Sequence, residues 1–430
     1  MDDSRAEETV RRLRWVLAGL ALAWLACEAA AAFFGVDGPL QLAGVNLIIQ
    51  PHLPIALGGM VVFYFCSRPA DGEPMRMMIL GTALSFGLKF LDHIEEWSTP
   101  WMSCLCFGYG VSSLLMLGWR AWRTSGPNRQ GVLAVLLPAC LVLGSIPLVF
   151  FFLLLTIQLR PHTFDALAYA ADSSLGCQLS FFVGRVFASV RPLAVVSFAV
   201  YCTLPVAFMV LLVLHVRGKG PPVYDLLPSF LCVAVFGFLI YLIYPITGPL
   251  FVFGDSFPDS PPAASSVLAA PLAVPDVPRN CMPSLHTAWA LLLWWHSRWL
   301  RRELRIAAGF WLGFTILATL GFGAHYAFDV IVAFPSTLAC RAACARSPGH
   351  WWTAAWGLLL TATWLMLLRH GLWLLSESSL MTVAAAAITV LFVMVRERTL
   401  NETAGTNSEA VEGYGALRAE YWALSTGKPR

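Results

Sequence analysis

Residues 131–156 read GVLAVLLPACLVLGSIPLVFFFLLLT, without a single charged side chain between Gly131 and Thr156. Similar apolar runs, each about 18–25 residues long, recur along the whole chain, and a helix of that length crosses the hydrocarbon core of a bilayer. A membrane β-barrel needs segments of about 10 residues that alternate in polarity, and these runs are continuous. The fold class predicted is therefore all-α and polytopic. About twelve spans are expected, over 14–34, 46–66, 76–91, 101–118, 131–156, 194–216, 227–247, 284–300, 305–324, 326–343, 351–368 and 373–395.

Composition agrees. Of 430 residues, 58% are hydrophobic and 12% charged, about half the charge of a typical soluble domain. That excludes an ordinary soluble enzyme and a disordered chain. The net charge of +3 is too small for a nucleic-acid binder. The eleven cysteines form no CxxC and no zinc-spaced Cys/His set, so most are read as small buried hydrophobes. Cys177 and Cys281 fall in two outer loops, and spacing alone does not say whether they pair.

Basic residues set the sidedness. With the N-terminus inside, the inner loops gather Arg11, Arg12, Arg14, Arg68, Arg76, Arg120, Arg123, Arg217, Lys219, Arg298, Arg301, Arg302, Arg305, Arg341 and Arg346, among others. The outer side holds Lys89, Arg160, Arg185, Arg191, Arg279 and Arg369. Both termini are thus expected in the cytoplasm of a cell whose plasma or inner membrane holds the chain. The first apolar stretch is too long for a cleaved signal, and Glu28 spoils a cleavage region.

Two outer loops are long. Residues 157–193 mix charges with apolar side chains and predict one or two helices lying in the interface. Residues 245–283 are proline-rich and predict irregular structure. The organisation expected is accessory helices over 1–126, a six-helix catalytic membrane domain over 127–346, accessory helices over 347–398 and a polar cytoplasmic tail over 399–430.

The chemistry gathers at two outer helix ends. The first is Arg279-Asn280-Cys281-Met282-Pro283-Ser284-Leu285-His286-Thr287, with Pro283 read as the first helical residue. It offers a helix N-terminus suited to phosphate, a hydroxyl (Ser284), an imidazole (His286) and a guanidinium (Arg279) able to clamp phosphate. The second is Gly321-Phe322-Gly323-Ala324-His325-Tyr326-Ala327-Phe328-Asp329. Its glycines permit a sharp turn, and His325 and Asp329, four apart, share a helix face. A carboxylate on one ring nitrogen leaves the other basic, the arrangement of an activated nucleophile. One span down and one span up separate the motifs, so both return to the same face.

Pro-Ser-x-His-Thr followed by His-Tyr-x-x-Asp resembles the type 2 phosphatidic acid phosphatase superfamily. It is most similar to the branch of inositol phosphorylceramide and sphingomyelin synthases. The resemblance is specific over 279–332 and extends over the six spans from 131 to 343. It implies that His325 accepts the phosphoryl group, that Asp329 is its partner and that His286 exchanges the proton of the leaving or incoming oxygen. Arg279, Ser284 and Tyr326 are the expected substrate contacts. Membrane lipids are the implied substrates, with no metal or cofactor required; no protein partner can be named. The phosphatase branch carries Ser-Arg where this chain has Ala318 and Thr319, and its first basic motif has no match here. Both departures favour a lipid phosphotransferase, with a lipid-phosphate or polyprenyl-pyrophosphate phosphatase as the alternative. A transporter is the reading from another class; it would show two similar halves, and none is seen.

Smaller features have blander readings. Asp92-His93-Ile94-Glu95-Glu96 resembles a metal cluster in composition but is read as a solvated rim. His296 is too far along its helix to pair with His286. Arg185 and Arg191 are further candidates to meet phosphate charge.

Overall fold

The computed structural model describes residues 3–49, 52–95, 99–216, 223–263, 267, 271–274, 277–345, 347, 349–371 and 378–406. Helices α1 (Asp3–Phe34), α2 (Pro39–Ile49), α3 (His52–Gly58), α4 (Met60–Cys66), α5 (Glu73–Glu95) and α6 (Trp101–Arg123) lead into α7 (Gly126–Leu159). Two short helices follow, α8 (Asp165–Ser173) and α9 (Leu179–Ser189), then α10 (Arg191–Val216), α11 (Val223–Ile243) and the brief α12 (Pro249–Phe253). The remainder is α13 (Leu285–His296), α14 (Arg302–Gly321), α15 (Ala327–Cys344), α16 (His350–Met366) and α17 (Ser379–Thr406). The chain is an all-α polytopic membrane protein. Ten helices among the described residues are long and apolar enough to cross a membrane.

Two of the twelve expected spans take another form. The 46–66 run is divided among α2, α3 and α4. Pro54 lacks the N–H that a continuous helix would use, and Gly58-Gly59 marks the break before α4. The 284–300 run gives only the 12 residues of α13 and a 3-10 turn over Ser297–Trp299. The last span begins at Ser379 and continues to Thr406. Residues 373–377 of the expected span, the tail beyond 406, and Arg217, Lys219, Arg346 and Glu96 lie outside the described residues.

Helices α1 to α6 pack through α6 and α1 onto α7, and through α3 and α4 onto α10. Around Met60, Phe63, Tyr64, Phe208 and Leu212 they share one apolar core. Helix α15 is the most deeply enclosed of the ten spans, flanked by α11, α13, α16 and α17. A second core, with Tyr169, Phe181, Tyr244, Met282, Tyr326, Phe328 and Trp364, covers the end where the two motifs lie.

The loop over 157–193 does form two helices, but α8 does not lie in the interface as expected. Asp165, Ala166, Ala168, Tyr169, Ala171 and Asp172 are buried, because its two carboxylates bind backbone N–H groups beneath it. Among its described residues, the proline-rich loop is irregular apart from α12, a 3-10 turn over Gly254–Ser256 and a short strand. That strand, β2 (Leu272–Ala273), pairs antiparallel with β1 (His162–Thr163), His162 opposite Ala273. Within the Asp92 cluster the expected solvated rim fails at Asp92 alone among the described side chains, His93 and Ile94 being exposed. Asp92 is buried, paired with Lys89 and accepting from the Thr99 backbone N–H at 2.6 Å. It clasps the α5–α6 turn.

Candidate active site

The two motifs meet. The Ser284 N–H donates to the Asp329 carbonyl at 3.1 Å, joining the start of α13 to the first turn of α15. The Tyr241 hydroxyl on α11 donates to the Pro283 carbonyl at 3.1 Å, and the Cys281 N–H donates to Ile246. Ser284, rather than Pro283, caps α13: its hydroxyl accepts from the Thr287 N–H at 3.4 Å and contacts the Thr287 hydroxyl at 3.0 Å. Proline had been expected one position inside the helix; instead the hydroxyl behind it serves an otherwise orphaned N–H.

His325 lies just before α15. Its N–H donates to the Thr319 carbonyl, and its own carbonyl accepts from the Ser180 hydroxyl on α9 at 2.7 Å. Gly323 turns the chain into it with φ of +66°, a conformation that costs glycine little. Gly321 has a different task from the one expected: it ends α14 with room only for the Phe187 ring, 2.4 Å from where a Cβ would stand. His325 Nδ1 is 3.5 Å from Asp329 Oδ2. Asp329 Oδ2 also accepts from the Tyr326 N–H at 2.7 Å, so the carboxylate is fixed by the same turn that carries the histidine. His325 is 5% exposed and Asp329 fully buried.

His286, half-buried on the first turn of α13, stacks on Tyr201 of α10 with ring centroids 4.1 Å apart. Its Nδ1 lies 3.0 Å from the Tyr201 hydroxyl. His286 thus has a hydrogen-bond partner at Nδ1, whereas His325 Nδ1 faces the Asp329 carboxylate without a hydrogen bond to it.

Sequence reasoning missed the carboxylates of α8. Asp172 accepts from the Ala327 N–H at 2.8 Å and the Phe328 N–H at 3.3 Å, and so caps α15 from outside. Burial, with the Asp329 charge adding to it, raises its pKa to about 8. Asp165 accepts from the Thr247 N–H and hydroxyl and from the Gly248 N–H; burial raises its pKa too. The signal was an acid inside an apolar stretch, Ala-Tyr-Ala-Ala-Asp at 168–172. Tyr201 had no signal, being one aromatic among many in its span. Cys281 was passed over as a loop thiol. It is buried, its thiol donates to the Ala324 carbonyl at 2.8 Å, and neither it nor the exposed Cys177 forms a disulfide. Burial pushes that thiol's pKa well up.

Arg279 is not placed as a phosphate clamp. Its guanidinium, in a residue 1% exposed, donates to the carbonyls of Arg160, Pro161, Val274 and Val277. Those carbonyls belong to the two outer loops, and the arginine pins them together. Tyr326 is fully buried, with its ring in the core above the site. Arg185 and Arg191 are exposed; Arg185 is on α9, the helix whose Ser180 holds His325.

A family model described as the PAP2 superfamily matches residues 166–343. That stretch runs from α8 to α15 and contains both motifs. The PAP2 superfamily is a phosphatase and phosphotransferase family, so the matched stretch supports an enzyme of PAP2-like type, in a chain with ten described helices able to cross a membrane. No match was found among curated proteins or among solved structures.

Proposed function

We propose that this enzyme is a lipid phosphotransferase that works through a phosphohistidine on His325, at the outer face of the membrane. The observation that carries the reading is the pairing of His325 Nδ1 with Asp329 Oδ2 at 3.5 Å, beside the helix start that bears His286. Asp329 holds the ring so that Nε2 faces the substrate, and it balances the charge the ring gains. His325 Nε2 attacks phosphorus. The bond from phosphorus to the leaving oxygen breaks, and His286 gives that oxygen a proton. An acceptor hydroxyl then attacks the phosphohistidine, loses its proton to His286 and leaves with the phosphoryl or phospho-head group. The Tyr201 hydroxyl holds the His286 ring plane through both steps, so that Nε2 can first give and then take the proton. Positioned acid–base groups of this kind contribute roughly 10²–10⁴-fold to rate.

The choice of a hydroxyl over water is supported by enclosure. His325 is nearly sealed, and Tyr169, Phe181, Tyr326 and Phe328 share the apolar core at the end that carries the motifs. Water-poor sites favour an acceptor delivered by binding. Arg185 and Arg191 are read as the cations that meet phosphate charge, in place of Arg279. The basic inner loops support the outward-facing site.

Purified enzyme offered labelled phospholipids, with and without ceramide or polyol acceptors, tests the reading. Acceptor-dependent product carrying the label is expected. Release of free phosphate or phospho-head group at an unchanged rate in the presence of every acceptor would mean a phosphatase.

A further inference from the structure

Cys281 Sγ, a His325 ring nitrogen and an Asp329 carboxylate oxygen all lie within 4.8 Å of one another. All three residues are buried. Neither His325 Nδ1 nor Asp329 Oδ1 has a hydrogen-bond partner, although such atoms are rarely left bare in an interior. Three ligand atoms of different chemistry, one sulfur, one nitrogen and one oxygen, thus converge with unused lone pairs.

We propose that Cys281, His325 and Asp329 form a binding site for Zn²⁺, and that the metal reversibly shuts the enzyme. The geometry suits a tetrahedral ion. Zinc bonds of about 2.0–2.3 Å set neighbouring ligand atoms roughly 3.3–3.8 Å apart; His325 Nδ1 and Asp329 Oδ2 are 3.5 Å apart, and with all three ligand atoms within 4.8 Å of one another a closing of about 1 Å or less completes the set. The thiolate selects zinc over magnesium and calcium, which prefer oxygen. Binding is a proton exchange: Cys281 gives up its thiol proton to solvent, sulfur bonds to zinc in its place, and the Ala324 carbonyl loses its donor. Three protein ligands leave a fourth position for water or a phosphate oxygen of the lipid. With zinc bound, Asp329 no longer orients His325, and the imidazole is committed to the metal. The inhibitory consequence rests on His325 being the nucleophile; the site itself does not.

The test uses the full chain in detergent, stripped of metal by a chelator. Zinc is added stepwise, and bound metal and turnover are measured on the same samples; Co²⁺ serves as a spectroscopic probe. One Zn²⁺ per chain is expected to bind as activity falls, chelator should restore activity, and Mg²⁺ should do neither. Co²⁺ should give a thiolate-to-metal charge-transfer band. Cys281→Ser keeps a donor for the Ala324 carbonyl and should turn over, lose that band and need about tenfold more zinc or above for inhibition, at least the loss seen when a supporting contact of a metal site is removed. Cys281→Ala should behave alike. Zinc binding that is absent, or unchanged in both variants, overturns the site and leaves the phosphohistidine reading to the His325 variants. Binding that depends on Cys281 while turnover continues overturns inhibition, and with it the role given to His325.

Discussion

At the scale of single residues, the site separates groups that act from groups that hold. His325→Gln, which keeps a polar side chain of similar volume at this buried position, should abolish turnover while the chain still folds; phosphoenzyme trapping with labelled lipid should find no labelled protein. Asp329→Asn should lower kcat far more than it changes KM, the pattern of an interaction made mainly in the transition state. Arg279→Ala should behave differently from both. It deprives four carbonyls of a charged donor, the Val274 carbonyl in a buried bond and three others in part-buried ones, and an unmet buried group costs about 1–3 kcal/mol before relaxation. The expected result is a clear fall in melting temperature and yield, with no effect confined to KM. Steady-state kinetics beside thermal unfolding in detergent distinguishes these outcomes. Asp172 adds a pH dependence. Folded, it keeps its proton to about pH 8; unfolded, it loses it near 3.9. Between those values the unfolded chain binds fewer protons, so this group makes the fold less stable as pH rises through the window. Asp172→Asn should remove that part of the decline, measured as the difference in unfolding temperature between variant and wild type from pH 5 to pH 8.

At the scale of elements, the reach of the sequence becomes plain. The approach of His325 to Asp329 was legible, though not because the two share a helix face: His325 precedes α15, and Asp329 reaches back to the Tyr326 N–H in a capping turn that brings the carboxylate to the ring; the return of both motifs to one end was legible too. The caps were not. Asp172 is 155 residues from the N–H it binds, and Arg279 reaches carbonyls 118 and 119 residues away; no local spacing encodes such partners. The breaks in the 46–66 run were visible as Pro54 and the glycine pair, but a continuous hydropathy outweighed them. Gly248 shows how tightly the loop fits the site. Its φ is +105°, and a Cβ there would stand 2.5 Å from the Ala324 carbonyl oxygen, next to His325. Gly248→Ala should therefore lower kcat by displacing that peptide, and Gly248→Ser should do so at least as much, in the same transferase assay.

At the scale of the whole molecule, the last helix, α17, is joined to the matched stretch by charge. Glu397 on α17 is buried and pairs with Arg298, beyond α13, and with Arg341 on α15, while Asn401 bridges Arg341 and Glu397. Removing one member of a buried ion cluster costs about 3–5 kcal/mol. Glu397→Ala should reduce stability by that order in detergent unfolding, although it lies at the opposite end of α13 from the proposed chemistry. Sidedness is testable with a native group: Cys177 is exposed. An impermeant maleimide should label it in intact cells, whereas a cysteine introduced at Glu303, in the basic turn before α14, should react only after permeabilisation. The reverse pattern would put the chemistry in the cytoplasm.

The shortness of α13 bears on how the enzyme meets its substrate. Twelve helical residues rise about 18 Å, and the 3-10 turn adds roughly 6 Å, against a hydrocarbon thickness of about 30 Å. On the proposed topology, with Arg298 and Arg301 at the inner boundary, the imidazoles of His286 and His325 would sit near the opposite one, level with ester linkages rather than above the head groups. A donor then reacts where it floats, its acyl tails never leaving the leaflet, and encounter is a search in two dimensions. Velocity should follow the mole fraction of donor in a mixed micelle or vesicle and stay constant when lipid and detergent are diluted together.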